Sequence, residues 1–140
     1  MNNIEAVVTE IKKTDVVTYI DLKCGEESLR LIRQSSPIWL LEGDSVNCKF
    51  QEVSVCVSKE CEGKVSIENK IPAQLKALRQ NGSLCELTFH SGMGDVVSLI
   101  TQDAYESLGL ELECDATMLI RGVDITIEPR LDLSRIKDAN

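Results

Sequence analysis

Aromatic side chains make up only 4% of the 140 residues, with one Trp, one His and three Pro. A core so poor in rings has to be built from Val, Ile and Leu, and clustering of the first two favours strands. No apolar run approaches the roughly 20 residues that cross a bilayer as a helix. The opening Met1-Asn2-Asn3-Ile4-Glu5 has neither the basic nor the apolar region of a secretory signal. The expectation is a cytoplasmic protein without membrane insertion. Basic residues are scarce too: 15 Lys and Arg stand against 23 Asp and Glu, a net charge of −8. Up to Gly63 there are 7 basic and 11 acidic residues, and after it 8 and 12, so each half carries −4 and no basic face stands out. Direct nucleic-acid contact, which needs clustered cations to displace phosphate counterions, is not expected.

The six cysteines, Cys24, Cys48, Cys56, Cys61, Cys85 and Cys114, would suit a disulfide framework in number. Without a secretory segment they read as reduced, small apolar fillers. Cys56 and Cys61 have four residues between them and His90 is far away in sequence, so a thiolate zinc site would need distant partners. One His, scattered carboxylates and thiols in apolar contexts make no nucleophile with its base, so neither an enzyme nor an organic cofactor is expected. Ser91-Gly92-Met93-Gly94 after His90 is too short and irregular for a phosphate-binding loop and reads as a hairpin turn. Trp39, within Pro37-Ile38-Trp39-Leu40-Leu41, is expected in core or interface packing.

Repetition organises the rest. Ile4-Glu5-Ala6 superimposes on Ile71-Pro72-Ala73, and the strand patterns that follow agree as far as Lys12 and Arg79. Polar turns come next, Lys13-Thr14-Asp15 against Gln80-Asn81-Gly82, then alternating strands Val16 to Leu22 and Ser83 to Phe89. Past Gly25 and Gly92, Ser28 to Ile32 lies over Val96 to Ile100 with one extra residue in the second copy. A short helix is predicted in each copy, Ser35 to Leu41 with Pro37 in its first turn, and Asp103 to Leu108 with Asp103 as N-cap and Gly109 as stop. Each copy closes with two strands, Ser45 to Phe50 then Val53 to Val57, and Ala116 to Ile120 then Val123 to Ile127. Five short strands with a helix between the third and fourth predict a small, partly open Greek-key barrel of the OB-like class. The expected organisation is all-β, with one unit over 1–60, a second over 64–130, a linker near Ser58 to Glu68 and a tail over 131–140. Such small barrels gain from pairing their edges, within or between chains.

The second half, from Asn69-Lys70-Ile71 through Leu99-Ile100-Thr101, Glu106-Ser107-Leu108-Gly109-Leu110 and Leu119-Ile120-Arg121-Gly122, resembles the Mop unit of the TOBE family. The doubled chain, over about residues 1 to 129, resembles a di-Mop molbindin. The resemblance implies binding of molybdate or tungstate by a cytoplasmic homo-oligomer, or by the sensing part of a molybdate-responsive regulator or transporter ATPase. It also implies three site elements. A Ser-Ala-Arg-Asn stretch corresponds to Ser66-Ile67-Glu68-Asn69, with Glu68 in the basic position, and only Asn2 matches in the first copy. A Thr-x-x-Ser stretch corresponds to Thr101-Gln102-Asp103-Ala104 and to Arg33-Gln34-Ser35-Ser36, each keeping one hydroxyl. A Lys ending the fourth strand corresponds to Arg121 and to Gln51.

A tetrahedral dianion entering a partly buried pocket loses hydration, and N–H groups, hydroxyls and amides replace it without adding negative charge. The oxyanion candidates are therefore Ser66, Asn69, Thr101, Arg121, Asn2, Arg33 and Ser36. Each has a plainer reading. Arg121 would pair with a carboxylate such as Asp124, Ser66 and Asn69 would make local turn hydrogen bonds, Thr101 would be a strand-end hydroxyl and Arg33 a solvated charge. The competing function is a degenerate di-Mop module that has lost its anion and serves oligomerisation or partner docking, as Glu68, Gln51 and the short start of the first copy suggest.

Overall fold

The computed structural model describes residues 1–60 and 63–130. The strands are β1 Asn2–Lys13, β2 Thr18–Cys24, β3 Glu27–Arg33, β4 Ser45–Phe50, β5 Cys56–Ser58, β6 Asn69–Asn81, β7 Leu84–Ser91, β8 Gly94–Thr101, β9 Asp115–Ile120 and β10 Thr126–Pro129. One helix, α1 Gln102–Leu108, joins β8 to β9, and short 3-10 turns at Glu52–Ser54 and Gly122–Asp124 precede β5 and β10. The fold is all-β, with two curled five-stranded sheets that repeat one another.

Period-two alternation positions the core. Ile4, Ala6 and Val8 on β1 face the same interior as Ile20, Leu22 and Cys24 on β2, while Ile71, Ala73 and Leu75 do so on β6. Both long first strands bend at a register shift, between Val8 and Glu10 and between Leu75 and Ala77. Such bulges sharpen twist and let a strand serve two partners. Cys24, Cys48 and Cys85 are buried fillers, whereas Cys56 is exposed and Cys114 half-buried; Cys61 lies outside the described residues. The segment 131–140, expected as a tail, also lies outside them.

The strand order departs from two self-contained units. One sheet runs β10-β4-β1-β2-β3 and the other β5-β9-β6-β7-β8, so each half donates its last strand to the other half's sheet. Ile127 lies opposite Cys48, and Val57 lies opposite Met118. The expected strands Val53 to Val57 and Val123 to Ile127 are also shorter, because Val53 and Val123 are exposed in the 3-10 turns.

Only the second copy has the expected helix. Thr101 rather than Asp103 is its N-cap, accepting the Ala104 N–H at 3.1 Å, and Gly109 ends it at φ 64°. Residues 34–44 of the first copy make turns instead. Leu75 pairs with Phe89 as Val8 pairs with Leu22, an offset of 67 residues, whereas Met118 answers Cys48 at an offset of 70. The first connection is therefore three residues shorter, close to one helical turn. The same offset of 67 places Gly94 over Glu27, Ile100 over Arg33 and Thr101 over Gln34. No extra residue precedes Val96, contrary to the sequence alignment.

The hairpin tips of the halves meet. Glu26 N–H donates to the Gly92 carbonyl at 2.9 Å, and a Cβ on Gly25, itself at φ +60°, would stand 2.4 Å from that oxygen. Glycine is required there by both conformation and space.

Candidate functional site

Two quasi-equivalent seams run where the halves meet. In the first, the buried Asn69 at the start of β6 clasps the backbone of β3: its Oδ1 accepts Arg30 N–H at 2.7 Å, and its Nδ2 donates to the carbonyls of Arg30 and Ile120 at 3.0 Å each. In the second, Asn2 at the start of β1 does the same to β8, exchanging 2.8 Å hydrogen bonds with the N–H and carbonyl of Val97. An amide side chain suits this position because it presents one acceptor and one donor side by side, the pattern of a neighbouring strand. Both Asn side chains are thus part of the clasp, and both amide hydrogens of Asn69 are committed.

The carbonyl that follows each 3-10 turn is also satisfied across the junction. Ser98 Oγ, fully buried, donates to the Val55 carbonyl at 2.6 Å. In the first seam Arg33 performs this task, donating to the carbonyls of Ile125 and Ile32. Burial alone pulls the Arg33 guanidinium down from its ordinary value, and among the described residues no carboxylate lies within 4.0 Å of it. A guanidinium stays protonated under such a shift, so a partly buried positive charge stands there against the dipoles of two carbonyls.

Other charges collect on the same seam. Glu68 Oε2 accepts the Gly122 N–H at 2.9 Å, and Arg121 Nε meets Asp124 Oδ2 at 2.8 Å with 63% of its side chain exposed. Gly122 packs so tightly on β3 that a Cβ would come within 2.7 Å of the Arg30 carbonyl. Outside this contact a surface depression of about 490 Å³ is lined by Thr9, Asp21, Ser28, Arg30, Glu68 and Asn69. Arg30 is anchored there by Asp21 at 2.7 Å and lies over the Tyr19 ring, 5.0 Å from its centroid.

Of the seven sequence candidates, the first seam therefore gathers Asn69, Arg33 and Arg121, with the exposed Ser66 three residues before Asn69. Asn2 belongs to the second seam. Thr101 ends β8 of that same edge, and its hydroxyl hydrogen is left over after Oγ1 caps α1. Ser36 is apart from both, beside Ile11, Lys13 and Glu42. Arg30, Gly122 and Ser98 were not candidates. Their role arises from contacts between strands of different halves, although the repeated Asn was a usable sign. Trp39 is 38% exposed, and His90 sits by the Gly92-Met93 hairpin paired with Asp95 at 3.0 Å. No group of three or more metal-ligating side chains occurs among the described residues.

Comparison by sequence finds neither a matching family model nor a matching curated protein. Comparison by structure finds the molybdate-bound crystal form of the cytoplasmic molybdate-binding protein ModG, similar at a TM-score of 0.85 and 19% identity, over 92% of this chain and 96% of that one. With so little shared sequence and such complete overlap, the likeness establishes the architecture: this chain has the tandem OB-like fold of that protein.

Proposed function

We propose that the chain binds molybdate or tungstate at the junction of its two Mop-like units, 1–60 and 64–130, as a cytoplasmic storage, buffering or sensing protein rather than an enzyme. Arg33 carries this reading: it is a partly buried cation at the junction with no carboxylate partner among the described residues, on a fold similar to that of a molybdate-bound protein. A cation held this way has lost hydration without gaining a counter-ion, and a dianion restores the balance. Arg121, paired with Asp124, adds a second charge on the same seam, and the hydroxyls of Ser66 and Thr101 supply neutral donors. Asn69 and Asn2 fix the strands that carry these groups. Because Ser66, Arg33 and Arg121 lie on one seam and Thr101 ends a strand of the other, a homo-oligomer that apposes seams of different chains would add the Thr101 hydroxyl to the same oxyanion. The overall charge of −8 weakens long-range attraction, but beyond a Debye length of about 8 Å it is screened.

Calorimetric titration with molybdate, tungstate and sulfate tests the reading. Saturable heat is expected for the first two and none for sulfate at the same concentration; absence of heat for all three would reject it.

Two contacts favour a second reading, a module without its own ligand that serves oligomerisation or partner docking. Glu68 already occupies the Gly122 N–H, and Asp124 already neutralises Arg121. On that reading, replacing Ser66 and Arg121 together leaves both assembly and anion response unchanged.

A further inference from the structure

The two seams repeat the same backbone clasp with different chemistry, and the difference bears on how many anions one chain can hold. Where the first seam has Arg33, the second has Ile100, and the strand carbonyl that Arg33 caps is capped there by the neutral Ser98 hydroxyl, which spends its one hydrogen on it. Where the first has Arg121, the second has Gln51. Where the first has Gly122, the second has Glu52, whose carboxylate meets the Met1 amino group. No Arg or Lys side chain stands at these three positions of the second seam. A dianion approaching it would have to shed water against the Ser98 hydroxyl and the Asn2 amide, both already engaged within the protein, while the Met1 ammonium there is held by the Glu52 carboxylate.

We infer that the seams have diverged in role: the one formed by β3, the Gly122–Asp124 turn and the start of β6 takes the oxyanion, one per chain, and the Asn2–Val97 and Ser98–Val55 contacts are a purely structural clasp. The inference rests on the oxyanion reading above and sharpens it to one seam and a stoichiometry. Arg33 sets the choice, because among the described residues its guanidinium donates to the Ile32 and Ile125 carbonyls and meets no carboxylate, whereas the carboxylate of Asp124 holds that of Arg121. Glu68 belongs to the same seam and limits its affinity without removing the charge asymmetry.

The test is calorimetric stoichiometry with molybdate on the whole chain, for the natural protein and for Arg33→Met, Arg33→Lys and Gln51→Ala. The expected result is one anion per chain, at least tenfold weaker binding for Arg33→Met, partial recovery in Arg33→Lys, and no change for Gln51→Ala. Circular dichroism and Trp39 emission establish that each variant is folded. Should Arg33→Met fail to fold, the Arg33→Lys result decides, since loss of the planar fork alone must still weaken binding. Two anions per chain, or an unchanged affinity in the Arg33 variants, overturns the inference while leaving oxyanion binding intact. No heat in the natural protein overturns both.

Discussion

Asn69 and Arg30 are joined by a reciprocal pair of hydrogen bonds, 2.7 Å from the Arg30 N–H to Oδ1 and 3.0 Å from Nδ2 to the Arg30 carbonyl, and this pair ties β6 to β3 across the junction. Its counterpart, Asn2 with Val97, does the same for β1 and β8 at 2.8 Å. Truncating either amide strands strand backbone groups in a place where water enters poorly. Asn69→Ala should cost about 2–3 kcal/mol and Asn2→Ala somewhat less, because Asn69 also satisfies Ile120. Urea unfolding of the two variants checks the order; equal and negligible losses would show that the clasp contributes little.

Exchange of the last strands makes the two sheets interdependent. Removing order from either half strips a strand from the other, so unfolding should be one cooperative transition. Trp39 emission in the first half and amide-proton exchange of Leu87 and Phe89 in the second should report the same midpoint. Separate midpoints would contradict the interlock.

Gly25 and Gly82 both adopt left-handed φ, +60° and +64°, but only Gly25 has a neighbour in the way. Gly82→Ala should cost about 1–2 kcal/mol, the strain of the conformation alone. Gly25→Ala should cost clearly more, since its Cβ would meet the Gly92 carbonyl and displace the Glu26 hydrogen bond. Thermal melts of the pair separate the two effects.

Thiol chemistry should follow burial. Cys24 and Cys48 are both buried in the first half, and their interaction, ahead of burial, pushes the Cys48 thiol far above the ordinary range while lowering Cys24, which burial alone then shields from reagent. Burial likewise pushes Cys85 up. A thiolate-specific reagent at neutral pH should therefore label Cys56 before Cys24, Cys48 or Cys85, as read by peptide mass mapping of the folded protein.

Removing the negative charge of Glu68 should strengthen oxyanion binding. Glu68→Gln keeps an oxygen for the Gly122 N–H while deleting like-charge repulsion, and the gain is about fivefold at most, the worth of roughly 1 kcal/mol for an exposed charge pair. A titration showing weaker binding would assign Glu68 a supporting role instead.

Much of this fold was legible in the sequence because its strands alternate cleanly. Ile4, Ala6, Val8 and Ile71, Ala73, Leu75 announce the same long strand twice, and Gly25 and Gly92 mark the same hairpin. The exchange of β5 and β10 was not legible: a three- or four-residue strand shows its pattern but not its partner, which the tertiary arrangement selects. The helix expected at Ser35 to Leu41 failed for a local reason. Three residues fewer span the gap, and Ile38, Trp39 and Leu41 remain on the surface of a turn. At the junction, Asn2 and Asn69 were visible as a repeated residue, but their engagement with backbone was not. The plainer reading of Arg121, a pairing with Asp124, is what the structure shows. Arg33, an oxyanion candidate whose plainer reading was a solvated charge, is partly buried on carbonyls, because β3 ends against the other half.

A crystal grown with tungstate and measured at the tungsten absorption edge tests oxyanion binding most directly. One anomalous peak per chain is expected at the seam of β3 with the Gly122–Asp124 turn, within hydrogen-bonding reach of Arg33. Peaks only at lattice contacts, or none at saturating tungstate, would contradict it.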